Sequence, residues 1–158
     1  MTERTKKRIR SCCIVALVLC TLWAAFEVLY FIGILTSWGI VNEKVDWSTN
    51  SEVKELFFIL FLISTMALIG LCYKIVLNIH KGLRELVVFP QNNTKLLLWL
   101  ALSDFIYMLC WTNLPLLFQD EFSFCFAGSN LITPFFLLFF AFMYKVAADA
   151  VEENNLTV

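Results

Sequence analysis

The segment His80–Leu97 reads HKGLRELVVFPQNNTKLL and lies between two pairs of long apolar stretches. Polar and basic residues interrupt the chain here, with Lys81, Arg84 and Lys95 against Glu85. A helix that crosses a membrane needs about 20 consecutive, predominantly apolar residues. Two stretches of that length precede the segment and two follow it. This arrangement predicts an all-α, integral membrane four-helix bundle made of two antiparallel hairpins.

The composition agrees with a membrane protein rather than with a soluble domain. Apolar residues make up 60% of the chain and charged residues 16%, whereas a soluble domain is typically about 45–50% apolar and about 25% charged. The net charge of −1 indicates no direct nucleic-acid partner, and we expect the lipid bilayer as the main partner. We predict one membrane domain over residues 1–158, with helices at about residues 12–38, 56–78, 94–118 and 125–146 and a tail of about residues 147–158.

The cations predict the orientation of this domain. Apart from Lys44 and Lys54, every Lys and Arg lies in the N-terminal tail, in or near the segment 80–97, or at Lys145. Because cytoplasmic loops are enriched in Lys and Arg, we expect a multi-pass protein of the cell membrane with both termini in the cytoplasm. We interpret the basic tail, residues 1–10, as a topology signal, and binding to anionic headgroups is the alternative.

Two carboxylic acids, Glu27 and Asp104, lie well inside predicted membrane helices. A charged side chain at the centre of a bilayer costs about 2.5–3.5 kcal/mol on insertion scales, so we expect both to face protein or water. As functional groups they would form a proton or cation path or anchor a polar ligand. The structural alternative is that they are protonated, or hydrogen-bonded to polar side chains of the other helices, namely Ser64, Thr65, Asn113, Asn130 or Thr133.

The sequence carries little support for catalysis or for metal binding. Its only histidine is His80, and we find no glycine-rich phosphate loop and no spacing typical of metal ligands. The six cysteines match neither a disulfide framework nor a metal site. We therefore expect no enzyme, no metal and no cofactor. Two alternatives stay open for the cysteines, which are a Cys110–Cys125 bridge and acylation of Cys12 or Cys13 beside the basic tail.

Two motifs carry a resemblance to a known family. The segment 80–97 contains the pattern F-x(3)-N-x(3)-L, formed by Phe89, Asn93 and Leu97. The chain ends in A-x(5)-AA-x(4)-E-N-x-L-T-V, formed by Ala141, Ala147, Ala148, Glu153, Asn154, Leu156, Thr157 and Val158. With these motifs, its length and its four predicted helices, the chain resembles a family of bacterial membrane proteins, domain-of-unknown-function family 2975, over essentially its whole length.

The chain departs from the family pattern at two positions, and the resemblance has implications for its function. Members usually have Ser or Thr after the motif phenylalanine as a helix cap, where this chain has Pro90, and Pro suits a first helical position instead. Members often have Asp before the final L-T-V, where this chain has Asn155. Family members are often encoded beside a small helix-turn-helix regulator. The resemblance therefore implies a regulatory role and a soluble partner of that kind.

Three functions remain open from the sequence. The first, which the resemblance favours, is a membrane regulator or scaffold that presents the segment 80–97 and the EENNLTV tail to a small transcription regulator. The second is a transporter or channel subunit that uses Glu27 and Asp104. Since four helices enclose little room, this function would require a homo-oligomer. The third is a structural or lipid-interacting membrane protein.

Overall fold

The computed structural model describes residues 3–36, 45, 47–83, 89–119 and 123–156, without the side chains of 154–156. These residues form an all-α structure, which confirms the predicted four-helix bundle. Short 3-10 helices at Leu114–Leu117 and Gly128–Leu131 flank the turn between the last two α-helices. The α-helices are α1, Glu3–Thr36; α2, Ser51–Gly82; α3, Asn92–Thr112; and α4, Ile132–Leu156.

Within the described ranges, four helical segments are long and apolar enough to cross a membrane. Large apolar side chains cover their outward faces, and examples are Leu22 on α1, 62% exposed, and Phe135 on α4, 70% exposed. A soluble monomer rarely exposes so continuous an apolar surface, whereas a helix surrounded by lipid presents one. The fold therefore has the features of a multi-pass membrane protein.

The first helix starts earlier than the hydropathy pattern predicts. It begins at Glu3 rather than near Cys12, because the basic tail is rich in Arg and Lys, which favour helix, and contains neither Gly nor Pro. Its 34 residues correspond to about 51 Å at 1.5 Å per residue, more than a bilayer core of about 30 Å. The basic turns thus extend α1 beyond the apolar stretch. The predicted end near Trp38 lies outside the described residues.

The other helix bounds also differ from the prediction. The helix α2 extends further at both ends, from Ser51 to Gly82. The helix α3 stops at Thr112 rather than near Phe118, and a 3-10 turn containing Pro115 follows it. Because Pro lacks an N–H and clashes with the preceding turn, an α-helix cannot continue undisturbed through this position. The helix α4 begins at Ile132 rather than near Cys125, after a 3-10 turn, and it continues through most of the tail to Leu156.

Backbone contacts join α1 to α2, α2 to α3 and α3 to α4. The middle of the bundle is held by a core of Phe31, Phe61 and Cys110, which come from α1, α2 and α3. A second core forms around Leu68, Ile75 and Leu100, and Trp23 of α1 and Leu137 of α4 pack against it. The helices α1 and α3 begin at one end of the bundle, and α2 and α4 finish there. We call this end the basic end.

Candidate functional site

Glu27 lies inside the bundle, as the sequence predicts, and is only 5% exposed. Its Oε1 accepts a hydrogen bond of 2.8 Å from Nε1 of Trp23, one helical turn earlier on α1. The same oxygen accepts a longer hydrogen bond of 3.4 Å from the hydroxyl of Tyr107 on α3. Both donors are neutral, so they orient the carboxyl group without balancing a charge on it.

Aromatic rings surround this carboxyl group on the side away from the basic end. The ring of Tyr107 lies 5.7 Å from that of Phe61 on α2 and 6.2 Å from that of Trp111. Tyr30 of α1 lies 5.9 Å from Trp111. The described residues show no close backbone approach between α1 and α3. These two helices therefore meet through side chains, and Glu27 occupies the cleft between them.

Asp104 lies on α3, three residues before Tyr107, and is half-buried. Three residues advance a helix by about 4.5 Å, so Asp104 lies almost one turn nearer the basic end than the tyrosine that contacts Glu27. Its Oδ2 and the Oε2 of Glu27 are both buried, and neither has a hydrogen-bond partner among the described residues. Glu27 of α1 and Asp104 of α3 thus each have one unsatisfied buried oxygen among the described residues.

The polar side chains expected to satisfy these carboxyl groups have other partners. Ser64 and Thr65 both donate to the carbonyl oxygen of Phe61, at 2.9 Å each. Asn130 accepts a hydrogen bond of 2.9 Å from Thr112. Ser64 and Thr65 therefore do not hydrogen-bond the acids, because hydroxyl groups in an apolar helix bond the carbonyl oxygens of their own preceding turn.

Sequence reasoning did not identify Trp23 and Tyr107 as the hydrogen-bond donors to Glu27. The spacing of four residues between Trp23 and Glu27 places both on one face of α1, so this pairing was recoverable from the sequence. The pairing with Tyr107 was not, because it depends on the register between α1 and α3. Among the described residues, no cluster of His, Cys, Asp and Glu is suited to a metal ion.

The motif residues Phe89, Asn93 and Leu97 lie at the basic end and contact the neighbouring helices. Asn93 is fully buried, and the ring of Phe89 meets that of Tyr144 edge-on at 5.4 Å. Leu97 packs against the core around Leu68. These positions recur every four residues, so the motif places one face of the 89–97 segment against α2 and α4.

Asn93 connects three helices through its side-chain amide. Its Oδ1 accepts a hydrogen bond of 2.8 Å from Asn78 of α2. Its Nδ2 donates to the carbonyl oxygen of Ile75 at 3.3 Å and to the hydroxyl of Tyr144 on α4 at 3.2 Å. Both amide hydrogens and the carbonyl oxygen are therefore used between helices.

The C-terminal motif divides into a packing part and an exposed part. Ala141 and Ala148 are buried, at 0% and 4% exposure, and small residues of this kind allow helices to approach closely in membranes. Glu153 is exposed on the last turns of α4. Asn154 and Leu156 belong to the helix, but their side chains, like the whole of Thr157 and Val158, lie outside the described residues.

All six cysteines are free thiols. Cys110 is buried in the core and Cys125 is exposed, so the disulfide considered between them is not formed. Cys125 lies instead in a segment held by Asn113, whose Oδ1 accepts a hydrogen bond of 2.6 Å from the Cys125 backbone N–H and whose Nδ2 donates to its carbonyl at 2.8 Å. Of the pair considered for acylation, Cys12 is exposed and Cys13 is buried.

The fold and the site together define a class, which is a small all-α protein with four potential membrane-spanning helices and a buried carboxyl group, Glu27, held between two of them. Comparison of the chain with protein-family models, curated proteins and solved structures finds no match. Function is therefore inferred from the site itself.

Proposed function

We propose that this membrane protein takes up and releases a small cation, in the simplest case a proton, at Glu27 of α1 and Asp104 of α3. In this proposal it acts as a subunit of a small oligomeric transporter or channel. The observation that carries the proposal is the pair of buried, unpartnered carboxyl oxygens, Oε2 of Glu27 and Oδ2 of Asp104.

The energetic cost of such groups supports a functional role. A buried polar atom without a partner typically costs about 1–3 kcal/mol, and more when it is charged. Apolar side chains at positions 27 and 104 would avoid this cost. Ionisable groups inside membrane helices most often belong to ion or proton pathways. A cation bound at the free oxygens would supply the interaction that the described residues leave out.

The hydrogen bonds of Glu27 suit this role. Trp23 and Tyr107 both donate to Oε1, so they hold the carboxyl group in one orientation and leave Oε2 available. Because both donors are neutral, they do not compete with a cation for the negative charge. A rigidly held carboxyl group with one open oxygen can exchange a proton without rearrangement of its supporting contacts.

The proposal is tested by flux measurements on the purified protein in liposomes. A pH-sensitive dye inside the vesicles reports proton entry after a potassium diffusion potential is imposed, and a second series with a sodium-sensitive dye tests that cation. Glu27→Gln and Asp104→Asn should each reduce the flux at least tenfold. The matched control is Glu52→Gln, which changes an exposed acid in the first turn of α2.

The controls separate loss of function from loss of folding. Each variant is compared with the wild type by size-exclusion chromatography and by its thermal unfolding temperature. Equal flux of wild type, Glu27→Gln and Asp104→Asn would refute the proposal, as would an absence of flux for every cation tested with the wild type.

A second candidate is the membrane regulator that the family resemblance implies. It is favoured by two hydrogen bonds that hold the second half of α4. Gln91 donates a hydrogen bond to Glu152, and Asn93 bonds Tyr144. These contacts tie the second half of α4 to residues 91–93, and we infer that the exposed end of α4 beside them suits a soluble partner such as a small helix-turn-helix regulator.

This candidate is tested by co-purification from membranes. The full chain and a chain lacking residues 151–158 are each expressed with a small helix-turn-helix regulator of the kind that the resemblance implies, taken from a neighbouring gene. Loss of the regulator from the shortened chain supports the role of the tail, and equal recovery with both chains argues against it. The flux variants Glu27→Gln and Asp104→Asn serve as controls, because they leave this surface unchanged.

A further inference from the structure

The basic end carries a groove between the start of α1 and the end of α2, with a volume of about 860 Å³. Its described lining contains one carboxylate, Glu3, and a larger number of basic side chains. The described lining is therefore strongly cationic. The basic side chains are Arg4, Lys6, Lys7 and Arg10.

The wall contributed by α2 consists of His80 and Leu83. Leu83 is only 3% exposed and gives this wall an apolar portion. The Nδ1 atom of His80 is buried and has no hydrogen-bond partner among the described residues. Buried polar atoms in folded proteins nearly always have partners. The residue His80 itself lines the groove, so its imidazole ring lies beside any ligand bound there.

The spacing of the cations suits a ligand with several oxygen atoms. Lys6 and Arg10 are four residues apart and therefore project from one face of α1. Arginine binds phosphate through two parallel hydrogen bonds, and lysine binds it as a point charge. The volume is also far larger than a simple halide ion needs.

We propose that this groove binds a phosphate group, carried either by the headgroup of an anionic lipid or by a soluble phosphate compound. The site is separate from Glu27 and Asp104, and it holds an anion rather than a cation. Both sources share one chemistry, in which the α1 cations neutralise phosphate oxygens beside His80 and Leu83 of α2.

His80 makes the test direct, because it is the only histidine in the chain. Protein labelled with nitrogen-15 at histidine therefore gives imidazole signals that need no further assignment. In one arm, pyrophosphate is titrated into protein held in phosphatidylcholine nanodiscs. In the other, phosphatidylglycerol replaces an increasing share of the phosphatidylcholine. We expect a saturable shift of the His80 signals in at least one arm, and the responding arm identifies the source.

Variants then test whether the shift of the His80 signals comes from binding in this groove. The double variant Lys6→Gln and Arg10→Gln should weaken binding by roughly tenfold or more, since each cation near an anionic surface contributes substantially to its attraction. The matched control, Arg8→Gln with Lys145→Gln, removes two cations that do not line the described groove. It should bind as the wild type does.

Three outcomes would overturn the proposal. The first is an unchanged His80 signal in both arms. The second is an equal loss of binding in the double variant and in its matched control, which would indicate general charge attraction rather than a site. The third is wild-type binding by Lys6→Gln with Arg10→Gln. Circular dichroism of both double variants establishes that they retain their helical content.

Discussion

Replacing Asn93 by alanine should destabilise the bundle, because it removes a buried hydrogen-bonding group at the basic end. Asn93 is fully buried and makes three hydrogen bonds between helices, to Asn78, to the Ile75 carbonyl and to Tyr144. The alanine variant loses all three and leaves the Asn78 amide group and the Tyr144 hydroxyl without this partner.

The expected loss of stability follows from the free energy that interhelical hydrogen bonds contribute in membrane proteins. Interhelical side-chain hydrogen bonds in a membrane protein average about 0.6 kcal/mol, so three of them contribute about 2 kcal/mol. The bonds to Ile75 and Tyr144 are long, at 3.3 and 3.2 Å, which lowers this sum. The cavity left by the truncated side chain raises it. We therefore expect a loss of about 2 kcal/mol in the free energy of unfolding.

The assay is reversible unfolding in mixed micelles by increasing amounts of sodium dodecyl sulfate, followed by circular dichroism. The neighbouring Asn92→Ala is the matched control, since Asn92 is exposed on the same turn of α3. Tyr144→Phe removes only one of the bonds and should cost about 0.6 kcal/mol. Identical unfolding curves for Asn93→Ala and Asn92→Ala would refute the reasoning.

Two further predictions concern the opposite end of the bundle and the packing of α4. Asn113→Ala loses both hydrogen bonds to the Cys125 backbone. It should increase the rate at which a membrane-impermeant maleimide labels Cys125, while buried Cys110 stays unlabelled. An unchanged labelling rate would show that Asn113 does not restrain this segment. Ala141→Leu should destabilise the protein by about 1–3 kcal/mol in the same unfolding assay, because position 141 is fully buried and overpacking strains a core. Ala150→Leu, at an exposed position of α4, should have little effect, and equal losses in both variants would argue against close helix packing.

The fold was accessible from the sequence because it depends on the lengths of apolar stretches. The helix ends were less accessible, since hydropathy marks where apolar composition changes and not where hydrogen-bonded turns stop. The basic turns around Arg8 are the clearest case. They are polar enough to be excluded from a predicted membrane segment, but they contain strong helix formers, so α1 continues through them.

The candidate site was accessible only in part. Glu27 and Asp104 stood out because a carboxylic acid in an apolar helix is costly. Their surroundings did not follow from the sequence. The donor from α3 to Glu27 is Tyr107, and its position is set by the packing of α1 and α3 against α2 around Phe61. Such register depends on three-dimensional packing and has no short-range signal.

The polar groups of the bundle divide by whether their hydrogen bonds are complete. Asn93 and Asn113 use both ends of their amides and join separate segments of the chain, as expected of groups that stabilise a fold. Glu27 and Asp104 each keep a buried oxygen unpartnered among the described residues, although the former has two donors at its other oxygen. A group kept for stability alone would gain from a completed set of bonds or from replacement by an apolar side chain. In the proposal made above, the open oxygens of the two acids are the atoms at which the cation binds and leaves.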